Sequence, residues 1–363
     1  MANTKSKKVY LNPIIHGTDI QFEIKEGSYD EKVLPGWNKT GNLICPCCGS
    51  ITTSKQVKEQ ANKIGLKERF IAIISEGSNG KQYTIPSIQL EQPHITLLNQ
   101  SIPTENMTKQ TDLISSRGWN INQWYQMFSN RQLNMLLTIN KQLLNLKATL
   151  NQSNYTNILF TYLSIWFDRI AVANTSLGRW HISGEKLEHP FSRQAIAMVF
   201  DYPESNPFCN SSGSALNQLE WITRYIESES NSPFAALFAN ASSGEKGQFA
   251  AKTLTAVVTD PPYYDAIAYA DISDFFYVWM KRTLGDIYPI NFATPQTPKQ
   301  KECTALKHHH HNSEAEAKKH FENKLTTIFD AIEYQTSDIV SIMFAHQSTE
   351  LGLHSVIQSW EQE

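Results

Sequence analysis

The run Leu254-Thr255-Ala256-Val257-Val258-Thr259 ends on Asp260-Pro261-Pro262-Tyr263, and this junction constrains the chain more than any other stretch. A short segment rich in β-branched residues reads as a strand. Its exit cannot turn into helix, because each proline fixes φ and disfavours the α conformation in the residue before it. The backbone carbonyls of the pair are thereby held in one orientation, with a carboxylate on one side and an aromatic ring on the other. Downstream, Ser273-Asp274-Phe275-Phe276-Tyr277-Val278-Trp279-Met280 reads as a helix capped by Ser273 and running to Gly285. Strand, rigid loop at its carboxyl end, then helix is the order in which open α/β sheets carry their sites.

Those residue types suit one chemistry. An exocyclic amine on a nucleobase has its lone pair delocalised into the ring and is a poor nucleophile. Fixed acceptors, here the Asp260 carboxylate and the Pro261 carbonyl, can hold its hydrogens and favour the pyramidal, attacking form. Pro262 stiffens the loop, and Tyr263 offers a flat face to a base taken out of its stack. Tyr264 and Asp265 follow as further substrate-binding candidates. A buried edge strand with a Pro-Pro turn is the other meaning of the same residues.

Composition sets bounds. The chain has 363 residues, enough for two or three domains, and its 40% hydrophobic and 18% charged content is that of a globular protein. A net charge of −3 provides no global basic field, so a nucleic-acid partner would have to be met by local patches. One such patch is 55–69, where Lys55, Lys58, Lys63, Lys67 and Arg69 outnumber Glu59 and Glu68; a solvated helix face has the same pattern. Five irregularly spaced cysteines exclude a disulfide framework, and no apolar run approaches a membrane span. Together these point to a reducing cytoplasm.

Residues 1–100 read as a small β-rich module. Ile20, Phe22 and Ile24 alternate with polar residues, 70–75 and 82–85 flank a polar turn as a hairpin, and 52–67 reads as a helix. Within this module Cys45-Pro46-Cys47-Cys48-Gly49 has the form of a zinc knuckle, with Cys45 and Cys48 as metal candidates. A closed site needs four ligands and no second Cys-x-x-Cys exists, so the cysteines have an alternative reading as small packed hydrophobes. Residues 101–175 read as a helical hairpin, with Ser129 capping the first helix. The second spans 154–173 and buries Ile158, Leu159, Tyr162, Leu163, Trp166 and Phe167. Residues 174–243 are irregular, with a short helix at 218–226. Their Arg179, Trp180, His181, Arg193, Asn206 and Phe208 suit either DNA contact or a surface insertion.

From 246 onward the order is strand, loop, helix, linker, helix, strand, helix. The linker 288–312 is rich in Pro, Thr, Lys and His, and its run His308-His309-His310-His311 reads as a solvated loop. Residues 314–332 form an amphipathic helix with Phe321, Leu325, Ile328 and Phe329 on one stripe. Residues 338–346 are then a second buried strand, parallel to the first. His346 at its end falls either near the corner or in the core.

The stretch 257–285, with Asp260-Pro261-Pro262-Tyr263-Tyr264-Asp265 and Tyr269-Ala270-Asp271, resembles bacterial adenine-specific DNA methylases that contain a zinc-ribbon insert. Arg131-Gln132-Leu133, Arg179-Trp180, Phe191-Ser192-Arg193-Gln194-Ala195, Glu204-Ser205-Asn206-Pro207-Phe208 and Phe344-Ala345-His346-Gln347-Ser348-Thr349-Glu350 are similar to the same family. The resemblance implies an α/β fold with three parts. These are a zinc-ribbon-like module (1–100), a helical and irregular insert for target recognition (101–245), and a partial Rossmann-like methyltransferase sheet (246–363). It implies S-adenosylmethionine-dependent methylation of the adenine amine in DNA, in a restriction-modification or phage-defence setting; zinc at Cys45 and Cys48 stays an open alternative, the pair being either a degenerate remnant or half of a site completed by further sequence. The family's glycine-rich cofactor turn has no counterpart: Gly77, Gly80, Gly213, Gly244 and Gly247 sit in polar turns. The resemblance therefore implies that a companion chain or a preceding segment supplies cofactor binding. A non-catalytic DNA-binding subunit and a methyltransferase acting on RNA or protein amines are the alternatives.

Overall fold

The computed structural model describes residues 1–28, 42–87, 94, 101–108, 118–191, 195–231 and 234–343. Phe344, His346 and Arg193 lie outside them. The protein is mixed α/β with several small sheets and divides into two compact units. One comprises Met1–Met107, Ile114–Ile226 and Phe276–Pro295; the other comprises Thr108–Leu113, Glu227–Phe275 and Gln296–Glu363.

In the first unit, β1 (Ala2–Asn3), β2 (Lys8–His16) and β3 (Asp19–Glu26) form an antiparallel sheet, with β2 and β3 paired from Val9↔Glu26 to His16↔Asp19. The expected alternation at Ile20, Phe22 and Ile24 lies in β3. Strands β4 (Leu43–Ile44) and β5 (Ile51–Thr52) pair across the cysteine turn. Helix α1 (Ser54–Ile64) is shorter than 52–67 because its ends are chemically marked. Thr53 and Gln56 form a capping box, and Gly65 stops the helix at φ 76°. The expected hairpin is β6 (Ile73–Gly77) and β7 (Gly80–Thr84), with only Ser78-Asn79 between its strands.

Helices α2 (Asn130–Thr149) and α3 (Asn154–Ala173) form the helical pair, and Ser129 caps α2 by accepting from the Gln132 amide. Their core joins Trp124, Met127, Leu133, Leu136, Phe160 and Phe167, all almost fully buried. The face of α3 differs from expectation. Phe160, Ser164, Phe167, Asp168, Ile170 and Ala171 are buried, whereas Ile158 is 55% exposed. The apolar residues of α3 run almost all round the helix, so periodicity alone did not fix which stripe packs. Asp168 is 3% exposed, and its two carboxylate oxygens have no hydrogen-bond partner among the described residues. Burial raises its pKa well above the usual carboxylate range.

The irregular stretch holds the hairpin β8 (Arg179–His181) and β9 (Lys186–Glu188), then α4 (Ala215–Glu229), longer than 218–226 at both ends. Two of its polar side chains meet opposite charges: Arg179 pairs with Glu188 and Glu204 with Arg131, each at 2.9 Å. Phe208 is 88% exposed. In the 55–69 patch, Lys58 lies over the Trp119 ring, and Arg69 lies over the Phe22 ring and donates to the Ile20 carbonyl.

The second unit contains the parallel pair. Strand β10 (Leu254–Thr259) pairs with β11 (Thr336–Ile342) in the register Val257↔Val340 and Thr259↔Ile342. The expected parallel pairing is therefore present, joined through α6 (Glu314–Gln335), which runs into β11 without a loop. Phe321, Leu325 and Phe329 of α6 are buried as expected. They form a cluster against Val257, Val340 and Ile342, one face of the pair. The opposite face is not buried as predicted: Val258 is 71% and Ile339 55% exposed. Helix α5 (Tyr269–Leu284) starts four residues before Ser273, which therefore does not cap it. Instead the Ala270 amide donates to the Glu302 carboxylate at 2.9 Å, an acceptor distant in sequence that favours the positive end of the helix.

Asp168 generates a signed prediction. Its folded pKa is raised, so the native state holds a proton that the unfolded chain releases above about pH 4. Its contribution then becomes less favourable as pH climbs toward the folded value. Asp168→Asn should raise the melting temperature relative to wild type, by a margin that widens from acid to neutral pH. Thermal melts across that range would show a constant margin if the carboxyl were ionised in the fold.

Candidate functional site

The corner lies where the sequence places it, at the carboxyl end of a parallel strand. Asp260 is exposed, Pro261 buried, and Pro262, Tyr263 and Tyr264 half-buried, while Asp265 is exposed. The Tyr263 hydroxyl donates to Asp260 Oδ2 at 3.1 Å. That bond, then burial, holds the Tyr263 phenol above its ordinary pKa. The Pro262 carbonyl accepts from the Tyr264 amide at 3.0 Å and so is turned back into the loop. No hydrogen bond to the Pro261 carbonyl is formed among the described residues.

Tyr264 is the anchor of the loop. Its φ is 50°, a left-handed conformation that costs a bulky residue strain unless the surroundings enforce it. Three contacts do so here. Its ring meets Phe321 edge-on at 5.1 Å, its carbonyl accepts from the Ala305 amide at 2.9 Å, and its amide donates to Pro262. Tyr264 is thus a structural clamp joined to the α6 core, with its ring packed on Phe321 and half-buried. A cavity of about 220 Å³ sits at the other end of the strands, lined by Lys252, Phe329, Ile332, Thr336 and Val340. It does not reach Asp260.

The segment 296–310 differs from the expected solvated linker. Thr304, Ala305 and Leu306 are buried, and short 3₁₀ turns occupy Lys299–Lys301 and Lys307–His309. Lys299 and Thr297 both bond the fully buried Asp274. Two histidines of the run are packed rather than solvated: the His308 and His309 side chains are 5% and 4% exposed. Each Nε2 lies 2.9 Å from Asp271 Oδ2, and the Thr108 hydroxyl donates to Asp271 Oδ1. Asp271 stands in the first turn of α5. Burial alone would raise its pKa, but the bonds from His308, His309 and Thr108 outweigh it and hold the carboxyl well below the usual range. Only His311 keeps the predicted exposure, at 94%. A residue-by-residue reading could not find this cluster, because Asp271 and the histidines are separated by 37 and 38 positions.

The cysteine turn is closed by backbone hydrogen bonds at both ends. Cys45 N bonds Ser50 O, Gly49 N bonds Cys45 O, and Gly49 adopts φ 72°. The Cys48 thiol, bonded to Ser50, is pulled below its ordinary pKa, while burial pushes Cys47 up. Among the described residues no third ligand groups with Cys45 and Cys48. Cys303 packs against the α6 core with its thiol pushed up to about 12 by burial.

Among the described residues, no strand leads directly through a glycine turn into a helix. The turn from β10 toward α5 contains two prolines and no glycine. Gly77 and Gly80 close a hairpin. Gly213 opens α4 but follows no strand, and a Cβ there would lie 2.4 Å from Leu187.

Replacing Asp271 with Asn should lower the unfolding free energy by about 2 kcal/mol, because two buried imidazoles lose a charged acceptor. His311→Ala should change it by less than about 0.5 kcal/mol, as an exposed substitution does. Urea titrations of both variants would detect the difference. Comparison with family models, with characterised proteins and with solved structures finds no match, so the chemistry of the corner rests on its own residues.

Proposed function

We propose that this chain carries the amine-holding half of an S-adenosylmethionine-dependent methyltransferase acting on the exocyclic amine of adenine in DNA. The supporting observation is an exposed Asp260, bonded to Tyr263, at the carboxyl end of a parallel strand and followed by a proline-fixed loop clamped through Tyr264. The family resemblance of the motif adds the substrate class. In this reading Asp260 and the Pro261 carbonyl accept the two amine hydrogens, leaving the nitrogen lone pair free to attack. Pro262 keeps the loop rigid, and Tyr263 stacks on the extruded base while its hydroxyl holds Asp260 in place. S-adenosylmethionine would supply the electrophilic methyl group. A partial Rossmann-like sheet is the architecture this reading assigns to β10 and β11.

The proposal includes a companion. The described residues lack a glycine cradle, and one face of the β10–β11 pair is uncovered, with Val258, Ile339 and Met343 all more than half exposed. Parallel strands are ordinarily covered on both faces. A partner bringing the cofactor site and further strands would complete the sheet, in a cytoplasmic restriction-modification or phage-defence system. A DNA-binding subunit without catalysis is the reading favoured if the corner proves dispensable.

The test is nucleoside mass spectrometry of DNA from cells expressing this chain with its genomic neighbours. N6-methyladenine should appear with wild type and vanish with Asp260→Ala. Tyr263→Ala should lose about 1–3 kcal/mol of base stacking, while Tyr263→Phe should retain most activity because its ring face is kept. Undiminished adenine methylation in the Asp260→Ala strain would sink the assignment; methylation found only in RNA or protein would redirect the substrate.

A further inference from the structure

We propose that Asp271, His308 and His309 form a binding site for a divalent transition-metal ion of the zinc class, separate from the Cys45–Cys48 turn. The three ligand atoms, Asp271 Oδ2 and the two Nε2 atoms, lie within 4.8 Å of one another. Two imidazoles and a carboxylate converging on one point are the donor set that Zn²⁺, Co²⁺ and Ni²⁺ prefer. All three side chains are almost wholly shielded from water, at 0%, 5% and 4% exposure, which separates them from the flexible exposed histidine runs that catch metal by chance.

The surroundings are those of a ligand set with supports. Thr108 bonds the second oxygen of Asp271 and orients the carboxylate. His309 turns its Nδ1 toward Glu302 Oε2 at 4.0 Å, and Glu302 is itself fixed by the Ala270 amide and by Thr304. With a metal on Nε2, each imidazole carries its hydrogen on Nδ1, and for His309 that hydrogen faces a carboxylate. Such outer partners set the tautomer and orientation of metal-bound histidines. The His308 and His309 rings meet edge-to-face at 4.3 Å between centroids, so the two neighbours cannot swing independently. Ligands about 2 Å from a tetrahedral ion stand roughly 3.3 Å apart. The present 2.9 Å separations to Asp271 Oδ2 therefore need only a slight opening. Three protein ligands leave a fourth position for water.

The location gives the ion a role. Asp271 belongs to the first turn of α5, and the segment carrying the histidines also holds Tyr264 through the Ala305 amide. A metal here would brace that segment against the loop that follows Asp260. It is a positioning element and makes no contact with reacting atoms. The inference does not depend on the methylation reading.

The experiment uses the full chain with Cys45→Ser and Cys48→Ser, stripped of metal and then titrated with Co²⁺ and, in parallel, Zn²⁺. One Co²⁺ per chain should bind with visible absorption free of thiolate charge-transfer bands, and Zn²⁺ should displace it. His308→Ala/His309→Ala should weaken binding more than about tenfold. His310→Ala/His311→Ala, which removes the other half of the run, should leave it intact. Asp271→Asn, which preserves shape, should weaken binding as the first pair does, so that a misfolded double variant cannot decide the matter. Absence of uptake by the Cys45→Ser/Cys48→Ser chain, or equal loss from both histidine pairs, would overturn the proposal.

Discussion

Packing of Phe321, Leu325 and Phe329 against Val257, Val340 and Ile342 holds the second unit in register. A parallel pair cannot be closed by a hairpin, so its two strands meet only if the intervening helix binds both. Helix α6 does that with one apolar stripe. The same stripe reaches Tyr264, whose ring rests on Phe321, and thereby fixes a left-handed residue that its own preferences would not choose. The geometry of the corner is thus determined by a core several residues away from the carboxylate it presents. Prolines stiffen the chain locally, but the direction in which Asp260 and Tyr263 point is set by where Tyr264 is clamped.

What the sequence revealed follows from the range of the interactions involved. Helices α2, α3 and α6, the pairing of β10 with β11, and the cap at Ser129 are carried by local signals: caps, apolar period and alternation. They were legible. The start of α5 was not, because the amide of its second residue, Ala270, is satisfied by Glu302, 32 positions away, and not by a neighbouring cap. The packed state of His308 and His309 was equally hidden. A polar run rich in histidine carries the composition of a loop, and only contact with Asp271 converts it into an interior segment. Burial of the α3 face failed for another reason. When nearly every position of a helix is apolar, the pattern ceases to say which side is inside.

Titratable groups in the second unit are arranged by the same logic of compensation. Asp271, Asp274 and Glu302 are all removed from water near the start of α5, where burial disfavours each charge. Asp271 receives three side-chain donors and stays ionised against that penalty. Asp274 receives Lys299 and Thr297, yet burial prevails and its pKa is raised. Glu302 spends one oxygen on the helix amide, and burial again prevails. Only the first of these carboxylates faces two imidazoles that can exchange a hydrogen for a metal, and this is why the cluster, rather than its acidic neighbours, is the place where an ion fits.

The uncovered face of β10 and β11 bears on how such a site would operate. Val258 and Ile339 alternate with the inward residues Val257 and Val340 in the stretch that pairs regularly from Ala256↔Ile339 to Thr259↔Ile342, so their exposure follows from strand geometry. Two-stranded sheets are marginal by themselves, and α6 supports this one from a single side. Covering the second face would therefore add stability where the strands are weakest and would do so directly behind the Asp260 corner. A partner seated there acts on the corner through the strand, because any shift of Thr259 relative to Ile342 moves the residue that follows it. Activity that depends on a companion would then come from two sources: the groups the companion brings, and the rigidity it gives to a loop this chain already holds at one end.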